Sequence, residues 1–146
     1  IQTNKIGLIV KNSYLVHSVD REKVVKKMDF ESEKINKIQK VLVQVNISGE
    51  TSKSGISTDD TEEFINFVDS FNNLELAGLM FLPNINQDKA SHIKEIIDSV
   101  ALFNDMKSKR KNIKVLSLGT SSDYKECIKA GSNLIRVGEI LFGPRV

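Results

Sequence analysis

The sequence predicts an α/β fold in which parallel strands alternate with helices. Five short apolar segments occur in order, and a helix-like segment lies between each pair. The segment Val41–Ile47 (VLVQVNI) is rich in β-branched residues and almost continuously apolar, which is typical of a strand buried on both faces of a parallel sheet. Small, hydrogen-bonding residues follow the last two of these segments: Gly119 with three hydroxyl residues after the fourth, and Gly138 after the fifth.

Two architectures fit this alternation, an open doubly wound sheet and a segment of a (β/α)8 barrel. The glycine fingerprint of dinucleotide-binding sheets is absent after the early strands. The phosphate-like loops instead follow the last two strands, where barrels carry a phosphate site. We therefore prefer the (β/α)8 TIM-barrel type. Because a complete barrel needs eight strands and typically about 250 residues, we expect residues 1–146 to form a single domain that is a partial barrel with about five parallel strands.

The predicted strands share high apolar content. Pro83 ends the third of them, because proline has a fixed φ and no N–H to donate. Ahead of the first strand, residues 1–13 begin with polar residues that could be a strand end and continue into a short stretch with helical periodicity. The five predicted strands are Tyr14–Val19, Val41–Ile47, Leu74–Phe81, Ile113–Leu118 and Asn133–Val137.

The first two predicted helices are placed by their capping residues. Asp20 offers an N-cap for the first helix, and the charged segment Asp29–Lys40, which lacks periodicity, is interpreted as a solvated linker. Asp59 and Glu62 have capping-box spacing ahead of the second helix. Its aromatic stripe is interpreted as helix-to-sheet packing and comprises Phe64, Phe67 and Phe71.

Two further helices are predicted from periodicity and position. One runs from about Lys89 to about Arg110, and the other covers Tyr124–Ala130. The residues of the long helix predicted to face the sheet are Ile93, Ile96, Ile97, Val100 and Phe103.

The composition restricts the class of protein. The 21 basic and 19 acidic side chains give a formal charge of +2, which does not support a strongly basic surface for nucleic acid or membrane. The single cysteine, Cys127, cannot form an internal disulfide, and neither a Cys/His metal pattern nor a secretory leader is present, so we expect a cytoplasmic protein. No apolar run approaches the roughly 20 residues of a membrane-spanning helix. Because the sequence begins at Ile1 inside a patterned segment, we expect it to be a piece of something longer.

The candidate binding site is the stretch Ser117–Gly143, which twice places small, hydrogen-bonding residues at the end of a strand. Glycines let the backbone approach a ligand, and hydroxyls together with free N–H groups at a helix N-terminus favour an anion. Ser121 is alternatively an N-cap at an ordinary βα turn. Arg136, inside an apolar strand, is alternatively a buried ion-pair partner.

Six sequence blocks, in the same order, carry a resemblance to a known family. The chain resembles the pyridoxal phosphate homeostasis proteins, which have the fold of the alanine racemase N-terminal barrel, over almost its whole length. The resemblance implies a non-catalytic protein that binds pyridoxal 5′-phosphate (PLP) and serves its homeostasis inside the cell. The blocks are Gln2–Lys5 (QTNK), Ser18–Asp20 (SVD), Gln44–Ser48 with Ser52–Gly55 (QVNIS, SKSG), Gly78–Met80 (GLM), Leu118–Asp123 (LGTSSD) and Arg136–Gly143 (RVGEILFG).

The resemblance also implies the residues that surround PLP. Arg136 matches the arginine facing the pyridine nitrogen, where a permanent cation disfavours protonation of that nitrogen and makes the ring a poorer electron sink. Asn46 and Met80 end their strands, and each either lines the pocket or belongs to the core. The residues implied for the phosphate are Gly119, Thr120, Ser121, Gly138 and the backbone at Glu139.

This chain departs from the family at two points. Thr120 stands where the family usually has methionine, which adds a hydroxyl near the phosphate loop. The Schiff-base lysine of the family lies on the first barrel strand, ahead of the Gln2–Lys5 block, and none of this chain's lysines matches it.

Four other side chains have less direct interpretations. Lys53 is either a solvated charge or an accessory group near the site. His17 and His92 are interpreted as structural or solvent-facing, and Cys127 as a small buried hydrophobe.

Two rival functions remain open at this point. One is a PLP-dependent amino-acid racemase, although such enzymes add a second domain with an opposing catalytic tyrosine. The other is a fragment with no cofactor binding of its own. For partners we expect the small-molecule cofactor, no nucleic acid, no membrane and, at full length, a monomer.

Overall fold

The computed structural model describes residues 1–143, in which five parallel strands form one sheet. The strand order is β1-β2-β3-β4-β5, so each strand pairs with its neighbours in sequence. A doubly wound sheet would instead reverse its order at a switch point. The predicted partial barrel is therefore confirmed. The strands are β1 Leu15–Val19, β2 Gln39–Val45, β3 Leu74–Phe81, β4 Val115–Thr120 and β5 Leu134–Arg136.

Helices connect the strands and follow the last one. A short 3-10 helix, Thr3–Lys5, precedes them, so residues 3–12 are helical, as the periodicity of this stretch predicts, and do not form the end of a strand. No helix within residues 1–143 has the length and apolar character needed to cross a membrane. The helices are α1 Ile6–Asn12, α2 Glu22–Lys34, α3 Thr61–Asp69, α4 Lys89–Lys109, α5 Tyr124–Ala130 and α6 Glu139–Phe142.

The two faces of the sheet carry different residues, as the period of two in a strand requires. Val41, Val43 and Val45 of β2 belong to the main core, which the strands share with the helices. Leu42 of β2 and Met80 of β3 are also buried but lie outside that core cluster. They mark a second, inner face of the sheet.

The sheet is curled around this inner face. His17 on β1 lies 3.0 Å from the hydroxyl of Ser117 on β4, measured from Nδ1 to Oγ, although β1 and β4 are not neighbours in the sheet. Arg136 on β5 likewise bonds the carbonyl oxygen of Phe81 on β3, at 2.9 Å. Side chains from separate strands therefore meet across the concave side, as in the interior of a barrel.

The predicted linker Asp29–Lys40 was wrong at both ends. Helix α2 continues to Lys34, and β2 begins at Gln39. The charged residues stabilise the last turns of the helix, because Glu31 forms ion pairs with Lys27 at 2.6 Å and Lys34 at 3.2 Å. The segment lacks apolar periodicity because charged side chains lie on the exposed face of the last turns of α2.

The two predicted N-caps were also misplaced. The N-cap residue of α2 is Arg21, and no side chain forms a capping hydrogen bond. The carboxylate of Asp20 instead forms an ion pair with the Arg21 guanidinium at 2.7 Å. Helix α3 begins at Thr61 with Asp60 as its N-cap residue, so Asp59 does not form the capping box. The hydroxyl of Ser57 instead accepts from the Asp60 N–H at 3.1 Å.

The inward face of α4 was predicted correctly except at Ile97. Ile96 and Phe103 are buried, whereas Ile97 is 57% exposed. The remaining buried positions on this face, Ser99 and Met106, were not predicted. The aromatic stripe of α3 packs against the main core as predicted.

Candidate functional site

The carboxyl ends of β4 and β5 open onto a cleft of about 720 Å³. Five of the eight residues predicted for the site line this cleft, so the structure brings the two loops together. Gly119, Asn46 and Met80 are not among its lining residues. The lining consists of Ile85, Thr120, Ser121, Ser122, Arg136, Gly138, Glu139, Phe142 and Gly143.

Ser121 joins the two loops directly. Its hydroxyl oxygen accepts from the backbone N–H of Gly138 at 3.2 Å and, more weakly, from that of Ile140 at 3.5 Å. A Cβ atom added at Gly138 would meet no other atom within 4 Å, so the space beside this glycine is open. The hydroxyl and the amide groups are donors of the kind that bind anionic oxygen.

Asp123 fixes the conformation of the first loop. Its Oδ1 accepts from the N–H of Thr120 at 2.7 Å and from the Thr120 hydroxyl at 2.9 Å. The residue is only 4% exposed, and its Oδ2 lies 3.2 Å from Nε2 of His92. The backbone next to Ser121 is therefore held by a buried carboxylate.

Gly119 has a structural explanation within the fold. Its φ is +111°, and an added Cβ would lie 3.0 Å from Cβ of Cys127 and 3.1 Å from Cα of Tyr124. The glycine thus allows α5 to pack closely on the end of β4. Its predicted contact with a phosphate stays a prediction.

Arg136 lies across the inner face and is partly buried. Its guanidinium donates to the Phe81 carbonyl oxygen at 2.9 Å and to the hydroxyl of Ser117. No carboxylate of residues 1–143 lies within ion-pair distance of it, so it is not the ion-pair partner considered as the alternative. Burial lowers the pKa of Arg136, while the negative charge of Asp123 acts in the opposite direction.

His17 and Ser117 extend the contacts of Arg136. His17 was interpreted from the sequence as structural or solvent-facing, and Ser117 begins the candidate stretch but had no role of its own predicted. Because Ser117 Oγ accepts from Arg136, its own proton is free to go to Nδ1 of His17. His17 then carries its proton on Nε2 and is neutral. Burial, followed by the charge of Arg136, lowers the pKa of His17 below its usual 6.5.

The lowered pKa of His17 predicts that the folded chain loses stability in acid. Above pH 6.5, His17 is neutral in both the folded and the unfolded chain, so it adds no pH dependence. Below that value the unfolded chain binds the proton more readily, and stability falls as the pH drops through the lowered pKa of the folded state. Melting temperatures measured from pH 7.5 to 5 should fall less steeply for His17→Gln than for the natural chain. If the melting temperatures of the two chains fell equally with pH, the lowered pKa of His17 would be contradicted.

Asn46 is directed into its own loop. Its Nδ2 donates to the carbonyl oxygen of Glu50 at 2.8 Å and to that of Lys53 at 3.4 Å, while its Oδ1 accepts from the Ser48 hydroxyl at 3.0 Å. Met80 lies on the inner face and is 5% exposed. Neither position contradicts a role in binding, and for both residues that role stays a prediction.

The ammonium group of Lys53 and the side chain of Cys127 are both buried. The Lys53 ammonium is buried, and its ion pair with Glu50 is long at 3.6 Å, so it is not the solvated charge considered from the sequence. Cys127 is fully buried, as predicted. Burial, followed by the charge of Asp123, raises the pKa of its thiol to about 12, so the thiol stays protonated.

The whole chain, residues 1–146, matches the family model for the alanine racemase N-terminal domain. The chain therefore belongs to that family, and the fold predicted from the sequence is of this type.

Within that family the chain is similar to pyridoxal phosphate homeostasis proteins. It is 34% identical to the one from Vibrio alginolyticus over 145 residues, which are 99% of this chain and 62% of the relative. The protein of the same name from Escherichia coli K12 is 31% identical over 99% of this chain and 62% of its own length. The chain therefore spans less than two thirds of these relatives. The resemblance read from the six sequence blocks is confirmed.

A solved structure has the same fold. PipY from Synechococcus elongatus, solved with PLP bound, superposes with a TM-score of 0.85 at 21% identity. The match covers 98% of this chain and 67% of PipY.

Proposed function

We propose that this chain is a non-catalytic PLP-binding unit that serves PLP homeostasis in the cytoplasm. The observation that carries the proposal is the convergence of Ser121, the amide groups after β5 and Arg136 on one cleft. The names of the curated relatives and the PLP bound to PipY support the choice of ligand.

The phosphate fits the open end of this cleft. The hydroxyl of Ser121 and the N–H groups of Gly138 and Ile140 supply hydrogen-bond donors, and Gly138 leaves room beside them. A volume of about 720 Å³ lies within the roughly 300–1,000 Å³ of ordinary ligand pockets. Glu139 contributes through its backbone, because its carboxylate would repel a phosphate.

The pyridine ring fits beside Arg136. PLP supplies an aldehyde and an electron-withdrawing ring when it is bound. Arg136 is a donor without acceptor capacity, and as a cation it disfavours a proton on the ring nitrogen. The ring then withdraws electrons less strongly, which suits storage or delivery of the cofactor better than catalysis on it.

Gly138→Val tests the proposed phosphate position. The new side chain enters space in which no atom lies within 4 Å of an added Cβ, so the melting temperature should stay close to that of the natural chain. PLP affinity, measured by calorimetry, should fall at least about ten-fold, because the side chain occupies the room left for the phosphate. Pyridoxal, which lacks the phosphate, is the control ligand and should lose much less. Unchanged PLP affinity would contradict the proposed position.

A racemisation assay tests the non-catalytic part of the proposal. With PLP at saturation, the chain should not convert L-alanine to D-alanine above the rate given by free PLP. Protein-dependent turnover would instead favour the racemase-like alternative.

A further inference from the structure

His92 on α4 bridges two segments near the candidate site without lining the cleft. Its Nδ1 lies 2.9 Å from the carbonyl oxygen of Asn84, in the loop that follows β3. Its Nε2 lies 3.2 Å from Oδ2 of Asp123, and its side chain is 14% exposed. Both ring nitrogens thus face oxygen acceptors, to which a ring N–H can donate.

The two carboxylate oxygens of Asp123 have different partners. Oδ1 accepts from the N–H and hydroxyl of Thr120, whereas Oδ2 faces His92. A carboxylate that is 4% exposed needs such partners, because a buried charge without them is costly.

We infer that His92 is a positioning residue for PLP binding, acting through Asp123 on the loop of Thr120 and Ser121. Without the donor at Nε2, Oδ2 loses its partner, and the carboxylate can turn away from the Thr120 N–H. The hydroxyl of Ser121 would then no longer be held opposite the N–H of Gly138. The inference rests on the proposed function for its effect on PLP affinity, but its effect on the loop is independent of any ligand.

Two substitutions separate the contacts of His92. In His92→Gln the longer side chain carries an amide donor that reaches Asp123, as Nε2 does. In His92→Asn the shorter side chain keeps a donor only toward Asn84. Lys94→Asn, on the exposed side of the same helix, is the control.

The first measurement is hydrogen exchange of the Thr120 amide, followed by NMR on the full chain without ligand. Exchange should be about ten-fold faster in His92→Asn and close to the natural rate in His92→Gln and Lys94→Asn. Natural exchange in a folded His92→Asn variant would overturn the inference. If that variant does not fold, nitrogen NMR of the natural His92 ring decides instead: a proton on Nε2 supports the contact, and an unprotonated Nε2 overturns it.

The second measurement compares the affinities for PLP and pyridoxal. His92→Asn should weaken PLP binding about ten-fold and pyridoxal binding less than about two-fold, and His92→Gln should restore PLP binding. Equal losses for both ligands would overturn a role directed at the phosphate loop. If the natural chain binds no PLP, the proposed function fails, while the exchange of the Thr120 amide still decides the contact between His92 and Asp123.

Discussion

Replacing Gly78 by alanine is expected to remove a large part of the stability of the fold. Gly78 on β3 pairs with Val115 on β4, and an added Cβ would lie 1.9 Å from the Val115 carbonyl oxygen. The carbonyl carbon and the amide nitrogen of Val115 would be only 2.7 and 2.8 Å away. These are backbone atoms, so relief requires the two strands to separate. We expect a loss of at least about 3 kcal/mol in the free energy of unfolding, against a typical total of about 5–15 kcal/mol.

Urea unfolding followed by circular dichroism measures this loss, and Gly7→Ala is the matched control. A Cβ at Gly7 would meet only the flexible end of Glu31, at 3.3 Å, and alanine is favoured over glycine in a helix by about 1 kcal/mol. The control should therefore be as stable as the natural chain or slightly more stable. A Gly78→Ala variant with the natural unfolding midpoint would show that β3 and β4 do not approach as described.

Arg136→Met is expected to cause the largest loss of PLP affinity, about 100-fold. A hydrogen bond to a charged group contributes about 1.5–3 kcal/mol, which corresponds to roughly 10- to 100-fold in affinity. Arg136→Lys keeps the charge but lacks the planar group that donates to Phe81 and Ser117 together, so we expect an intermediate loss of about ten-fold. Calorimetric titration with PLP measures both variants.

The stability of these two variants has to be measured alongside their affinity. Methionine leaves the carbonyl oxygen of Phe81 without its donor, which should lower the free energy of unfolding by about 1–3 kcal/mol. The titrations are therefore done well below the melting temperature of each variant. Natural affinity in a folded Arg136→Met variant would remove Arg136 from the site.

The sequence identified the parallel strands and the two loops because both are local features. Strand β3, Leu74–Phe81, was predicted to the residue, since a mostly apolar segment that Pro83 ends leaves little freedom in the bounds. The loops containing Ser121 and Gly138 could be paired before the structure was known, because the carboxyl ends of neighbouring parallel strands lie at one edge of a sheet.

The contacts that were missed depend on tertiary geometry. His17 and Ser117 are 100 positions apart, and they meet only because the sheet is curled enough to bring β1 opposite β4. Ser117 carries one local signal, alternation, since it lies between the core residues Leu116 and Leu118 and so faces away from the main core. His17 lacks that signal, because the polar Ser18 follows it. His92 gave no such signal, because its contact with Asp123 depends on how α4 packs beside α5.

The end of α2 was missed for a different reason. The ion pairs of Glu31 and the bond from the Ser32 hydroxyl to the Met28 carbonyl oxygen, at 2.7 Å, support helical turns that have little apolar character. A prediction based on apolar periodicity does not count these contacts.

Calorimetric titration of the natural chain with PLP and with pyridoxal tests the phosphate site most directly. We expect PLP to bind saturably and at least about ten-fold more tightly than pyridoxal, because only PLP can accept from Ser121 and from the amides of Gly138 and Ile140. Equal affinity for the two ligands, or no saturable binding of PLP, would contradict a phosphate site between the loops that follow β4 and β5.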